Sequence, residues 1–253
     1  MKIGITERGD ASLDYSWVAP VENNEVDGVV LITKNLTPKF IDEVYRLHNM
    51  GKKIIVHATC TGWGGTMVEP NVPIYTEQLM AMKDLLDMGF PYNRLVLRID
   101  PIIPTSNGVA RVCEVLNDAV ALDILPGVRI RISVLDEYKH VKERIKAAGK
   151  KPFYPEGQWQ ASDAQMKYLS DNLNKYNLTF YTCAESKLKG DEGRFAIAGC
   201  ISKMDLEILD LPAEDMDINP QNRKGCTCLS CKTELLKCSR QCAHKCIYCY
   251  WRN

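Results

Sequence analysis

The first four-fifths of the chain alternates short apolar runs with amphipathic segments. Six of the runs are rich in β-branched residues and almost continuously hydrophobic, as are strands of a parallel sheet that is buried on both faces. These runs occupy residues 2–6, 28–33, 53–59, 95–99, 128–134 and 178–182. The pattern therefore predicts a parallel sheet of six strands.

Helical periodicity fills most of the intervals between the predicted strands. Thr37 and Pro38 are typical of a helix start and Gly51 of its end, and Thr76 and Gly89 frame a second helix in the same way. Further helices are predicted near residues 109–120, 141–148 and 162–176. Repeated βα units predict an α/β fold. Six strands favour a partial parallel (β/α)6-type barrel, with a doubly wound open sheet as the alternative.

Three segments do not follow this alternation. Residues 7–27 are only weakly helical, and residues 150–160 are rich in proline, glycine and aromatic residues, which indicates an inserted loop. From about Asp210 the sequence becomes polar and rich in turn residues. We therefore expect residues 1–209 to form the barrel, and residues 210–253 to form a cysteine-rich tail that packs on the barrel mouth and is not an independent domain.

Composition limits the kinds of protein this chain can be. A length of 253 residues suits one sizeable α/β domain. Lys and Arg number 32, as do Asp and Glu, so the overall charge does not favour nucleic acid as a partner. No apolar run approaches the ~20 residues that span a bilayer, and the first residues resemble a strand more than a signal peptide. We expect a cytoplasmic protein without a membrane partner.

Cysteines are the unusual feature of the composition. There are eleven, of which seven lie in the last 28 residues. In a reducing compartment such a cluster binds metal more often than it forms disulfides. Cys242, Cys246 and Cys249 are close enough in sequence to wrap one iron–sulfur cluster, and three thiolates on a 4Fe–4S cube would leave one iron open. A structural zinc site is the alternative.

The remaining cysteines suggest a second metal site, holding zinc or another iron–sulfur cluster. Its candidate ligands are Cys183, Cys200, Cys226, Cys228 and Cys231, with Cys238 as a further one. Cys60 and Cys113 are expected to be buried as small hydrophobic residues.

The spacing Cys-x3-Cys-x-Tyr-Cys, with Tyr248 before the last cysteine, resembles the cluster motif of the radical S-adenosylmethionine (SAM) superfamily. In that superfamily the open iron binds SAM, and one electron cleaves SAM to methionine and a 5′-deoxyadenosyl radical that abstracts a substrate hydrogen. The motif usually follows the first barrel strand, whereas here it ends the chain. The chain is thus similar to a radical-SAM-like family of unknown function with a C-terminal motif, distantly like spore photoproduct lyase.

This resemblance covers almost the whole chain. It rests on residues 32–35, 61–62, 69–73, 98–102, 183–185, 200–201 and the terminal motif. The departures are a shortened first crossover, residues 7–10 at the first strand end, and extra cysteines at 231 and 238. The resemblance implies a 4Fe–4S cluster, SAM, and a reductase or flavodoxin-type electron donor. It also favours Cys183, Cys200, Cys226 and Cys228 as the second set of ligands.

Candidate site residues follow from strand ends, because ligands of parallel α/β folds collect at the carboxyl ends of the strands. The resemblance implies SAM binding by Thr61, Gly62, Glu69, Arg98 and Ser133 at these ends, and by Tyr248 of the cysteine motif. For the loop of residues 61–65 an ordinary glycine turn is the alternative. For catalysis the candidates are Arg98, Asp100 and Glu185. Arg98 would bind the SAM carboxylate and Asp100 the ribose or substrate, with a structural Arg–Asp pair as the alternative. His57 is expected in the core, and His244 near a cluster sulfur or SAM.

The sequence thus supports a radical SAM enzyme whose substrate it does not specify. DNA-acting members such as spore photoproduct lyase make a nucleobase or nucleic acid one candidate, although no basic stripe supports it. Residues 142–151 form only a short lysine and arginine cluster, typical of a solvated face. The alternative function is a non-catalytic zinc or iron–sulfur protein with a structural or electron-transfer role.

Overall fold

The computed structural model describes residues 1–213, 217–218, 225–237 and 242–251, so Cys238 lies outside the described residues. Within them the chain forms one sheet of eight parallel strands. The strands are β1 (Ile3–Ile5), β2 (Gly28–Thr33), β3 (Ile54–Thr59), β4 (Leu95–Ile102), β5 (Arg129–Val134), β6 (Phe180–Thr182), β7 (Phe195–Ile197) and β8 (Lys232–Glu234). The predicted α/β fold with a parallel sheet is confirmed.

Strand order follows chain order, in the sequence β7-β6-β5-β4-β3-β2-β1-β8. This order is compatible with a partial barrel, whereas a doubly wound sheet reverses its winding direction at a switch point. All six predicted strands are present. The sequence did not predict β7 and β8 because each has three residues, and β8 consists of the polar residues Lys232, Thr233 and Glu234.

Seven α-helices connect or flank the strands within the described residues. They are α1 (Val18–Glu22), α2 (Pro38–Asn49), α3 (Tyr75–Asp87), α4 (Ser106–Ala121), α5 (Lys139–Ala147), α6 (Asp163–Leu173) and α7 (Lys203–Ile208). The Thr37 hydroxyl caps α2 by accepting from the Phe40 N–H, and Ser162 forms a capping box with Gln165 on α6. Local capping chemistry therefore explains why these two starts were predictable.

Alternating side chains of the strands feed two apolar cores. On the helix side, Phe40 and Val44 of α2 are fully buried with Leu79 and Met82 of α3. On the other side, strand residues such as Ile5 pack with apolar residues of α7. Each fully buried side chain of this size stabilises the fold by about 1.5–3 kcal/mol.

Helix α7 covers the amino-terminal end of the strands through an ionic contact. Asp205 binds Arg129, the first residue of β5, at 2.7 Å and Arg131 at 3.3 Å. Burial would raise the pKa of Asp205, but the two arginines lower it to about 2. His57 lies beside this group; it is buried as expected, yet neither ring nitrogen has a partner among the described residues.

The segment that follows β7 and the segment that precedes β8 approach each other, although β7 and β8 lie at opposite edges of the sheet. The Leu229 N–H donates to the Ile201 carbonyl at 3.2 Å. A Cβ atom on Gly199 would lie 2.6 Å from the backbone nitrogen of Cys228, so only glycine fits there. None of the helices in the described parts of the chain is both long and apolar enough to cross a membrane.

Candidate cofactor site

The C-terminal cysteine segment lies against loops at the carboxyl ends of the strands. The Ile247 N–H donates to the carbonyl of Val68, in the segment after β3, at 2.9 Å. Arg144 of α5 donates to the carbonyls of Ile247 and Cys249, at 3.1 and 2.8 Å. These contacts bring the segment to the end of the sheet where the sequence predicted a site.

The thiols of Cys242, Cys246 and Cys249 lie within electrostatic range of one another. Burial raises the pKa of the Cys242 thiol to about 11 and that of Cys246 to about 12. Buried thiols are neutral without a counter-charge, and binding of a metal would compensate the cost of ionising them. We name these three residues the first cysteine group.

The donor set of the first cysteine group fits an iron–sulfur cluster better than zinc. Structural zinc takes four protein ligands, and the neighbouring His244 and Asp10 are engaged with each other. Three thiolates suffice for a 4Fe–4S cube with one open iron. In the described portion of the chain, no three His, Cys, Asp or Glu side chains already surround one metal position. The thiols would therefore have to reorient to bind either metal.

His244 and Asp10 join the cysteine segment to the end of β1. Nε2 of His244 lies 2.8 Å from Oδ2 of Asp10, and Nδ1 lies 3.0 Å from the Asn71 carbonyl. Burial would raise the pKa of Asp10, but the His244 hydrogen bond and charge lower it. Burial would lower the pKa of His244, but Asp10 raises it. Both ring nitrogens are thus used, whereas the sequence predicted a contact with a cluster sulfur or SAM.

Glu69 is the centre of a buried network beside the first cysteine group. Lys34 donates to its Oε1 at 2.8 Å, Tyr248 donates to the same oxygen, and Thr61 donates to Oε2 at 2.7 Å. Burial would raise the pKa of Glu69, but the charge and hydrogen bond of Lys34 lower it. The carboxylate therefore stays ionised although it is 1% exposed.

Lys34 is the site residue that the sequence analysis did not single out. Burial would lower its pKa, but Glu69 and Cys246 raise it. Its Nζ atom also donates to the Tyr248 hydroxyl at 2.9 Å. The available signal was its position, because Lys34 directly follows β2 at a strand carboxyl end.

Gly62 has a backbone role at this end of the sheet. Its φ of +77° lies in the left-handed region, and a Cβ atom there would lie 2.9 Å from the Cβ of Arg111. Its carbonyl accepts from Nη1 of Arg111 at 2.7 Å, and that guanidinium stacks on Trp63. Gly62 thus shapes the loop that carries Thr61.

Arg98 and Asp100 extend the site away from the first cysteine group. Nε of Arg98 donates to Oδ2 of Asp100 at 3.0 Å. Asp100 lies within electrostatic range of Lys34 and Tyr248. Arg98 lies within range of Cys200, and its Nη1 has no partner in the described structure. The pair therefore stands between the first cysteine group and a second set of thiols.

Comparison with known families agrees with the extent of this fold. The model of a domain of unknown function, DUF1848, matches residues 14–251. The chain belongs to the DUF1848 family. No curated protein matches the chain significantly. Because the family description names no activity, the function has to be inferred from the side chains.

In this DUF1848 member, Ser133 and Glu185 meet at the ends of β5 and β6. The Ser133 hydroxyl donates to Oε1 of Glu185 at 3.3 Å, and the Val134 N–H donates to the same oxygen at 2.8 Å. Glu185 is thus fixed at the predicted end of the sheet, on the side away from Glu69.

The DUF1848 chain also has a cavity of about 870 Å³ between α5 and the loop of residues 150–160. Aromatic residues Tyr138, Tyr154 and Trp159 line it, together with lysines and glutamates of nearly balanced charge. Tyr138 packs edge-on against Tyr250 of the cysteine segment, with ring centroids 5.4 Å apart. The cavity therefore borders the candidate cofactor site.

The other predicted ligands separate into two environments. Hydrogen bonds with the thiols of Cys183 and Cys228 lower the pKa of the Cys200 thiol well below its ordinary value, and Cys226 lies within electrostatic range of Cys228. Cys231 lies apart, near the chain's N-terminal amino group. Cys60 is buried as expected, whereas Cys113 is only partly buried.

Proposed function

We propose that this chain is a radical SAM enzyme whose first cysteine group holds a 4Fe–4S cluster over the mouth of a partial barrel. The observation that carries the proposal is the meeting of three buried or partly buried thiols with the charged network of Glu69, Lys34 and Tyr248 at the strand carboxyl ends. When bound, such a cluster supplies the electron that cleaves SAM to methionine and a 5′-deoxyadenosyl radical, which abstracts a substrate hydrogen.

Lys34 and Glu69 provide opposite charges for this task. The Lys34 ammonium, within electrostatic range of Cys246, offsets negative charge on the thiolates. Glu69 is an ionised, buried carboxylate, which suits the cationic amino group of SAM. Thr61 and Tyr248 hold its oxygens in a fixed orientation.

Arg98 and Asp100 fit the remaining polar groups of SAM or the substrate. Nη1 of Arg98, which has no partner among the described residues, is a donor suited to a carboxylate. Asp100 lies towards Lys34 and Tyr248, where it can accept from ribose hydroxyls. Ser133 and Glu185 would line the substrate side of the same mouth.

The aromatic cavity suggests a class of substrate. Trp159 is exposed and stacks with Tyr138, with ring centroids 5.6 Å apart, so a flat aromatic ring could bind against this surface. This supports a nucleobase-containing substrate. The nearly balanced lysines and glutamates do not favour a long nucleic acid.

The test is anaerobic reconstitution of the full chain with iron and sulfide, followed by reduction and addition of SAM. We expect about four iron and four sulfide per chain at the first cysteine group, an EPR signal that SAM perturbs, and release of 5′-deoxyadenosine. A preparation that binds zinc at these thiols and releases no 5′-deoxyadenosine would instead indicate the non-catalytic alternative.

A further inference from the structure

Four buried or partly buried cysteines meet where the two edges of the sheet approach each other. Cys183 directly follows β6, Cys200 follows β7, and Cys226 and Cys228 precede β8. We name these four residues the second cysteine group. No β-ladder joins β7 to β8 in the described structure. The second cysteine group is therefore placed to connect strand ends that the sheet itself leaves unpaired.

The thiols and backbone of this group are in close contact. The Cys200 thiol contacts those of Cys183 and Cys228, and the Cys200 N–H donates to Sγ of Cys228 at 3.1 Å. A Cβ atom on Gly225 would lie 3.6 Å from that of Ala184. Gly225, which precedes Cys226, therefore packs against Ala184, which follows Cys183. Packing thus converges on the thiols from both sides.

Buried donors that lack acceptors in the described structure lie near the second cysteine group. Arg98 and Arg131 both lie within electrostatic range of Cys200. Nη1 of Arg98, Nε of Arg131 and the Thr182 hydroxyl are buried and have no partner among the described residues. Unpaired buried donors destabilise a fold. Their presence here indicates a group with a negative charge larger than that of neutral thiols.

One acidic residue also reaches this group, and its charge is balanced. Oε1 of Glu7 lies 3.9 Å from Sγ of Cys200. Its other oxygen binds Nζ of Lys232 at 2.6 Å. Glu7 therefore adds little net negative charge to the group. Asp100 and Asp205 pair with Arg98 and Arg131, but Nη1 of Arg98 and Nε of Arg131 keep no acceptor in the described structure.

We propose that the second cysteine group binds one zinc ion, as a site separate from the first cysteine group. Four thiolates around one divalent ion carry a net charge of about −2. Nη1 of Arg98 and Nε of Arg131, which lack acceptors in the described structure, are donors suited to such thiolates. Zinc–sulfur bonds of ~2.3 Å place thiolate sulfurs ~3.8 Å apart, which is contact distance, whereas a four-iron cube separates them further. Binding would release the thiol protons to solvent.

Zinc binding requires a modest rearrangement. In the parts of the chain that are described, the thiols meet in pairs and do not yet surround one point. Cys228 already contacts Cys200, so the main change would be rotation of the Cys226 side chain about Cα–Cβ towards the other thiols. The bound ion would then fasten the ends of β6 and β7 to the segment before β8.

The test measures metal in the full chain purified aerobically and in the variant Cys242→Ala/Cys246→Ala/Cys249→Ala. We expect about one zinc per chain in both, without sulfide in the triple variant. Cys200→Ser and Cys228→Ser should lose most of the zinc. Cys231→Ser is the matched control and should keep it, because Cys231 lies apart from the other thiols.

A second measurement covers variants that fail to fold. Cobalt(II) added to the metal-free triple variant should bind in a 1:1 ratio. The complex should show the strong absorption bands at the red end of the visible spectrum that are typical of tetrahedral cobalt(II) thiolates. Iron and sulfide in the triple variant would overturn the single-ion site in favour of a cluster, and four free thiols with no bound metal would overturn it altogether. Zinc lost from Cys231→Ser but kept in Cys228→Ser would also contradict it. Zinc content and SAM cleavage are separate readouts, so either proposal can fail alone.

Discussion

The two cysteine groups use the same side chain in opposite surroundings. Thiols of the first group lie among acids, bases and hydroxyls that are already hydrogen bonded to one another, such as Glu69 with Lys34 and Asp10 with His244. Thiols of the second group contact each other and lie near arginine N–H groups that have no acceptor within the described part of the chain. The first environment suits a reactive site, and the second suits a closed structural site.

This difference shows that cysteine spacing alone does not define a metal site. Cys228 and Cys231 are three positions apart, as are Cys246 and Cys249. Cys228 nevertheless contacts a thiol of the second cysteine group, whereas Cys231 does not. What separates them is strand placement, since Cys231 directly precedes β8 and its carbonyl accepts from the Ile3 N–H at 2.8 Å. The four predictions below test the comparison.

The largest effect is expected from Cys246→Ala. It removes the most buried thiol of the first group, so cluster content, the EPR signal and 5′-deoxyadenosine should all disappear, while zinc at the second group remains. Iron, sulfide and zinc assays with product analysis measure this. Cys113→Ala is the control and should keep all four signals. Loss of zinc along with iron would show that the two groups are not separate.

Asp205→Asn should produce the largest loss of stability. It leaves the buried Arg131 without its carboxylate partner, at a cost of about 3–5 kcal/mol. Because the folded pKa of Asp205 is depressed to about 2, its contribution is present above the ordinary carboxyl pKa and fades as pH falls towards about 2. Urea unfolding from pH 6 to pH 3 should therefore show the gap between parent and variant narrowing at the acid end.

The same experiment also bears on the second group. Arg131 donates to the carbonyl of Gly199, beside Cys200, so zinc should be released from Asp205→Asn at lower chelator concentration than from the parent. Iron at the first group should not change. If parent and Asp205→Asn differed by the same free energy of unfolding at every pH, the contribution of Asp205 would not depend on its charge.

Arg98→Met and Asp100→Asn should affect SAM cleavage more than folding. Arg98→Met leaves Asp100 within range of Lys34, and Asp100→Asn leaves Arg98 within range of Glu7, so destabilisation should stay below about 3 kcal/mol. Product formation should fall about a hundredfold, as expected for losing one positioned electrostatic contact. Melting temperature, cluster content and 5′-deoxyadenosine are measured together. Normal turnover, or a collapse in melting temperature, would make the pair structural.

Tyr248→Phe should have the smallest effect. The hydroxyl donates to Glu69, but Lys34 and Thr61 still bind that carboxylate, so about 1–2 kcal/mol of stability and less than tenfold in product formation should be lost. Tyr250→Phe is the matched control, since its hydroxyl accepts from the Asp136 N–H, outside the Glu69 network. Equal effects of the two changes on SAM cleavage would remove Tyr248 from the site.

Much of the fold was predictable because it is encoded locally. The apolar runs of β2 and β3 and the capping residues Thr37 and Ser162 each act within a few positions of the chain. The short strands β7 and β8 were not predictable, because three residues carry too little periodicity. Their pairing depends on partners distant in sequence, as for β8 beside β1.

The candidate site divides in the same way. Spacing in the sequence indicated Cys242, Cys246 and Cys249 as one set, and strand ends indicated Thr61, Glu69 and Arg98. The sequence could not indicate that Lys34 neutralises Glu69, or that His244 is bound by Asp10, because those pairs are separated by 35 and 234 positions.

By itself, the sequence determined the α/β class, the parallel strands and the clustering of cysteines in the C-terminal segment, since these follow from periodicity and composition. Only the tertiary structure decided which thiols meet, which acid faces which base, and that the second cysteine group is surrounded by Arg98 and Arg131. The physical reason is that ionisation and metal affinity depend on burial and on charges within a few ångströms. Those charges come from strands far apart in the chain, which only the folded sheet brings together.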